Sequence, residues 1–156
     1  MKVLLDTTYF LPAVGISIKE LSKDAMIKLN TKGHEIAISR ISLFELSAKG
    51  AKYVVNNELS PERVALGIRA ILYDDIIEKM STDDSKVILT AFTLRSLMVD
   101  FIDCLILSTA LNHCDALITE DQDILNLKKN KKYLELAATI NPIFKIQTLT
   151  EINNQR

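Results

Sequence analysis

The chain has 156 residues, 48% apolar and 25% charged, with nineteen basic residues against twenty acidic ones and a formal charge of -1. That size and balance suit one soluble globular domain with a full core, and they exclude a protein that coats long stretches of nucleic acid. No apolar run approaches the ~18 residues needed to span a bilayer, and two histidines without any C-x-x-C make a zinc site unexpected.

Residues 2–5 (KVLL) read as a short apolar strand that stops at Asp6. Thr7 and Thr8 are placed to cap a helix, Ile18, Leu21, Ala25 and Leu29 follow at helical spacing, and Gly33 stands where a left-handed C-terminal cap belongs. Residues 35–39 (EIAIS) make a second apolar strand. Residues 42–45 (SLFE) have the form of a capping box, with Ile41 and Leu46 as its hydrophobic staple, and predict a helix that ends near Gly50.

Ser60-Pro61-Glu62 opens another helix by a serine cap and a proline at the first helical position, with Val64, Ile68, Ile71 and Leu72 on one face. Residues 74–81 read two ways, with Asp75-Ile76-Ile77 either ending that helix or beginning a turn, and residues 81–84 (STDD) read as the N-terminus of a helix over 87–97.

Residues 100–123 read as a helix, a tight connection, a short apolar strand and an acidic loop that opens the next helix. Asp100 is the expected N-cap of the first helix, Thr119 that of the last, with Gln122 closing a second capping box. Residues 128–132 (KKNKK) mark a solvated helix end or loop, residues 144–148 (FKIQT) a closing strand, and residues 151–156 a frayed tail after a single domain over 1–150. The start MKVLLDTTYF lacks the pattern of a secretory leader, so export is not expected. Cys104 and Cys114, inside apolar segments, fit buried reduced thiols in a cytoplasmic protein. Short, nearly continuous apolar strands separated by helices indicate an α/β fold: a three-layer α/β/α sandwich around a short, mostly parallel sheet.

Asp103 is the first sign of a site. On a helical wheel Ile106, Leu107 and Ala110 fall within roughly 60° of it, with Ser108 and Asn112 on the far side. An ionised carboxylate on an apolar face needs a cation, a metal or a shifted pKa. Asp6, Glu45 and Asp121 each follow a strand's carboxyl end or lie in the first turn beyond it, the edge where ligands bind in open α/β sheets. Four carboxylates gathered there would repel one another, and a hard divalent cation relieves that repulsion. Acidic ligands alone select Mg²⁺ or Mn²⁺. Taken singly the same residues have plainer uses: Asp6 as a cap, Glu45 in its capping box, Asp121 and Glu120 at a helix dipole. Asp100 lies close enough on the wheel to substitute for Asp103, and Asp123 is a spare carboxylate beyond Asp121.

These residues resemble the PIN domain, the nuclease fold of many prokaryotic toxin ribonucleases of the VapC type. Asp6 in VLLDTTYF is similar to the family's first-strand aspartate, Glu45 in ISRISLFELSAKG to its second acidic position. Asp103 in DCLILSTAL resembles the aspartate-led run, ALITEDQDI the strand ending in Thr-x-Asp-x-Asp, and FKIQTLTEI the last strand. Ile124 stands where the family often has an aromatic, and residues 56–97 carry no motif.

The resemblance implies Mg²⁺- or Mn²⁺-dependent cleavage of single-stranded RNA, with Asp6 and Asp103 holding the metal and Glu45 and Asp121 completing the cluster. Thr7 and Thr119 are placed to hydrogen-bond a carboxylate, a bound water or phosphate. Arg40, Lys49 and Lys52 are placed to hold flanking phosphates, with ordinary surface solubility as the competing use. The resemblance further implies a cognate antitoxin laid into a groove near the helices of residues 61–97, and a homodimer. Two other readings compete: a catalytically weak PIN-like scaffold that binds RNA or protein, and a phosphotransfer or phosphatase domain with Asp6 as nucleophile. Four scattered glycines exclude a phosphate-binding P-loop.

Overall fold

Val3, Leu4 and Leu5 run apolar without alternation, the pattern of a strand covered on both faces. The computed structural model, which describes residues 1–19 and 25–154, places them in the middle of a five-stranded sheet. Its strands are β1 (Lys2–Leu5), β2 (Glu35–Ser39), β3 (Ile77–Met80), β4 (Ala116–Ile118) and β5 (Lys145–Gln147). Their order is β3-β2-β1-β4-β5 and every neighbouring pair is parallel. The helices are α1 (Ala25–Thr31), α2 (Arg40–Val55), α3 (Pro61–Leu72), α4 (Ser85–Leu94), α5 (Phe101–His113), α6 (Gln122–Asn126), α7 (Lys131–Ile140) and α8 (Leu149–Asn153), with 3-10 turns at Thr7–Val14 and Leu127–Lys129.

Pleat alternation divides the core in two. Val3, Leu5, Ile36, Ile38 and Ile118 face Phe10, Leu29, Leu46, Ile71 and Ile152 on one side. Leu4, Ala37, Leu117 and Ile146 face Leu94, Leu107, Leu111, Ile124 and Tyr133 on the other. The sheet is thus sandwiched between α1, α2, α3 and α8 and the layer of α4 to α7, the three-layer architecture expected from the strand pattern. Among the described residues no helix is long and apolar enough to cross a membrane.

Several local expectations are corrected. Asp75 and Ile76 form the turn the sequence allowed, but residues 77–80 continue as the edge strand β3, which was not expected; Glu78 and Lys79 hid it, because an edge strand tolerates charge on its outer positions. The segment after Asp6 is a 3-10 helix closed by Gly15, and α1 is described over Ala25–Thr31; Leu21 lies outside the described residues. Gly33 does take the left-handed conformation, at φ 82.

α2 starts directly off β2 at Arg40, so Ser42 lies inside the helix and the capping box at 42–45 does not form. Nor does α2 end near Gly50: it runs to Val55, and Gly50 is where α3 comes closest, since a Cβ there would collide with Val64. Leu72, expected on the inner face of α3, is exposed. α5 is buried nearly all round, its polar side turned to α4: Ser108 donates to the Val87 carbonyl and Asn112 to the Thr90 hydroxyl. The charged run at 128–132 leads into α7, capped by Asn130. Residues 151–153, read as part of a frayed tail, belong to α8, whose Ile152 is fully buried.

Candidate active site

Asp6 leaves the carboxyl end of β1 with its N–H still in the ladder, donating to the Ile118 carbonyl at 3.0 Å. Its side chain is buried and both oxygens are engaged. Oδ1 accepts the Thr7 N–H at 2.7 Å and Oδ2 accepts the Thr119 hydroxyl at 2.6 Å. Burial pushes its pKa up, the two hydrogen bonds pull it back, and the charges of Glu45 and Asp121 push it up further.

Thr7 and Thr119 act as hubs. The Thr7 hydroxyl donates to Glu45 Oε2 at 2.5 Å, joining α2 to the end of β1. The Thr119 hydroxyl, besides its bond to Asp6, accepts the Asp121 N–H at 3.0 Å. Freed from any capping box, Glu45 gives its other oxygen to Lys49, 2.9 Å away one helical turn on. Asp121, rather than Thr119, caps α6: its Oδ1 accepts the N–H groups of Asp123 and Ile124, and no capping box with Gln122 forms. Asp123 lies exposed on α6 and contributes that N–H.

Asp103 sits in the first turn of α5, half-buried, and among the described residues it has no hydrogen bond or ion pair. Burial pushes its pKa to about 7, assisted by the charges of Asp100, Asp6, Asp121 and Glu45 in that order. Asp100 caps α5 through the Ile102 N–H and is exposed. The charges of Glu45 and Asp121 thus reach Asp6, and those of all three reach Asp103, while Lys49 pairs with Glu45. Arg40 is exposed at the start of α2, while Lys49 and Lys52 line a depression with Leu11, Ile16 and Tyr53.

The donor set is all oxygen, as a hard divalent ion requires. Two buried hydroxyls, Ser39 Oγ and Ser42 Oγ, have no hydrogen-bond partner among the described residues. Extending the β1–β2 register puts Ser39 level with Asp6, and the pleat turns it to the same side of the sheet. As they stand, no three acidic, histidine or cysteine side chains among the described residues form a finished metal cage. Burial first, and then the charges of the neighbouring acids, raises both Asp6 and Asp103.

Sequence reasoning missed Tyr9 and assigned Glu120 to a helix dipole; the Tyr9 hydroxyl donates to Glu120 Oε1 at 2.8 Å. No local signal could pair residues 111 positions apart. The most prominent grooves lie away from the acids, one along β5 between α7 and α8 and one between α2 and α3.

Known structures share this fold. A chain of VapBC2 from Rickettsia felis, solved bound to a DNA fragment from their promoter, superposes with a TM-score of 0.59 at 20% identity, covering 94% of this chain and 98% of that one. A chain of FitAcB from Neisseria gonorrhoeae superposes with a TM-score of 0.53 at 16% identity, covering 95% and 98%. No curated protein sequence matches. The sequence model of the PIN domain does match, over residues 3–130, a span that takes in Asp6, Glu45, Asp103 and Asp121, and the chain belongs to the PIN domain family.

Proposed function

We propose that this chain is a metal-dependent endoribonuclease that cleaves single-stranded RNA, acting as the toxin of a toxin–antitoxin pair. The observation that carries the reading is Asp103, a half-buried carboxylate without hydrogen bond or cation among the described residues, lying in the fields of Asp6, Glu45 and Asp121. An inactive scaffold has no physical use for that arrangement, because each added charge raises the cost of the others. Asp6 is poorly placed for phosphotransfer, since a nucleophile needs a free oxygen and both of its oxygens are hydrogen-bonded and buried.

Asp6 and Asp103 would hold Mg²⁺ or Mn²⁺, with Glu45 and Asp121 completing the set. An ion held there would supply positive charge against the phosphate and would make a water more acidic for in-line attack. The chain's own work is positioning. Thr7 and Thr119 hold the carboxylates of Glu45 and Asp6, and Asp121 is fixed by the N-terminus of α6. Lys49, held 2.9 Å from Glu45, would be the cation to meet a flanking phosphate. Asp103→Asn should fold, bind Mn²⁺ weakly or not at all by calorimetry, and cleave RNA ~10²- to 10³-fold more slowly. Unchanged turnover in that folded variant removes Asp103 from the site.

The same reading includes protein partners in the cytoplasm, where the buried free thiols Cys104 and Cys114 fit. Leu89, Phe92, Val99 and Phe101 are exposed apolar residues beside Asp100, with the two phenylalanine rings stacked at 5.7 Å, and a second copy covering them makes a homodimer. The apolar groove between α2 and α3, lined by Val54, Ala65, Ile68 and Leu72, suits an antitoxin helix. Phe92→Glu should yield monomers by light scattering if the first patch is the dimer face.

A further inference from the structure

The loop between β4 and α6 carries two members of the acidic edge, Thr119 and Asp121, and between them stands Glu120. Its Oε1 accepts two donors from distant parts of the chain: the Tyr9 hydroxyl at 2.8 Å, from the 3-10 helix after β1, and the Leu149 N–H at 3.0 Å, from the first residue of α8. Both donors are themselves fixed. Tyr9 is buried in the core beside Phe10, and burial together with Glu120 holds its phenol protonated. α8 is closed by a capping box between Thr148 and Glu151, is tied to Lys128 through Glu151, and buries Ile152. From the other side the loop is held by the Thr119 N–H, which donates to the Gln147 carbonyl at 2.9 Å.

We propose that Glu120 is a positioning residue of the acidic edge: its shared oxygen braces the loop of residues 119–121, so that Thr119 and Asp121 keep their places beside Asp6. The C-terminal helix thereby becomes part of the site's support, although residues 131–156 lie beyond the span that matches the PIN domain. The inference rests on the metal reading above. Glu120 itself does not reach the ion in this role, because the oxygen that does the bracing is occupied by two donors. A merely structural glutamate would lower stability when removed and leave the affinity of the remaining carboxylates for an ion unchanged. A brace sets that affinity, because outer partners that orient a ligand typically change metal binding ~10- to 100-fold.

The test is Mn²⁺ titration calorimetry on the full chain, alongside single-stranded RNA cleavage kinetics and a thermal melt. Glu120→Ala should weaken Mn²⁺ binding about tenfold or more and lower kcat with little change in KM. Glu120→Gln, which keeps an acceptor oxygen for both donors, should restore both readings. Tyr9→Phe, which deletes one of the two bonds, should move them a smaller distance the same way, and it carries the test if Glu120→Ala does not fold. Wild-type Mn²⁺ affinity in folded Glu120→Ala or Tyr9→Phe, with only the melting temperature lowered, overturns the brace and leaves the metal reading standing. A wild-type chain that binds no Mn²⁺ overturns both.

Discussion

Residues 42–45 (Ser-Leu-Phe-Glu) and residues 148–151 (Thr-Leu-Thr-Glu) carry the same motif, and the fold treats them in opposite ways. At 148 the capping box forms: Thr148 Oγ1 accepts the Glu151 N–H at 3.1 Å and Glu151 Oε2 accepts the Thr148 N–H at 2.8 Å. At 42 it does not. β2 passes straight into α2 at Arg40, the helix N-terminus falls before the motif, Ser42 is left buried without a partner among the described residues, and Glu45 gives its oxygens to Thr7 and Lys49. A capping box is a local offer that the chain accepts where nothing stronger competes. Around Glu45 the strand register had already fixed where the helix begins, and a hydroxyl and an ammonium group gave the carboxylate better company.

That contrast can be broken most severely at the two glutamates. Glu45→Gln should lower RNA cleavage ~10²-fold, whereas Glu151→Gln should leave cleavage unchanged and only loosen α8; equal losses of activity would erase the distinction. The hydroxyl residues sharpen it in the other direction. Thr148→Ala should cost about 1 kcal/mol in urea unfolding through loss of the cap, while Ser42→Ala should be neutral or stabilising, because it deletes a buried hydroxyl that has no partner among the described residues.

Acidity separates the two regions by sign. The carboxyl of Asp103 is raised from 3.8 to about 7 in the fold, so between those values the native state holds a proton that the unfolded chain has lost, and stability falls as pH rises through that window. Lys128 and the Thr148 N–H hold Glu151 below its ordinary value of 4.5, so its contribution is present above that value and is lost as pH falls through the lowered one. The melting temperature of the metal-free wild type should therefore decline between pH 5 and pH 8, and Asp103→Asn should lose much of that decline, with Asp6 supplying what remains. The smallest effect is expected at Lys49: Lys49→Met should tighten Mn²⁺ binding only a few-fold by calorimetry, since the ammonium it removes is partly solvated.

The central strands were readable because burial on both faces writes them as unbroken apolar runs, and α3 because Ser60 and Pro61 announce it in the order a helix start requires. β3 was not, because an edge strand with Glu78 and Lys79 has no such run. The positions of Asp6, Asp103 and Asp121 beside the carboxyl ends of strands, or at the starts of helices, were visible from strand and helix order alone; Glu45, expected in a first turn, lies in the second turn of α2, because that helix begins at Arg40. Their hydrogen bonds were not. Whether Thr119 caps a helix or donates to Asp6 depends on a strand pairing between segments more than a hundred residues apart, which no window of sequence contains.

That same bond has a consequence during synthesis. Thr119 meets Asp6 only when β4 slots in beside β1, 113 positions later in the chain. A polypeptide still emerging from the ribosome carries its first carboxylate from the outset, yet lacks the hydroxyl that aims it until β4 has been made. A product cut short before β4 holds Asp6 without the Ile118 carbonyl and the Thr119 hydroxyl that seat it.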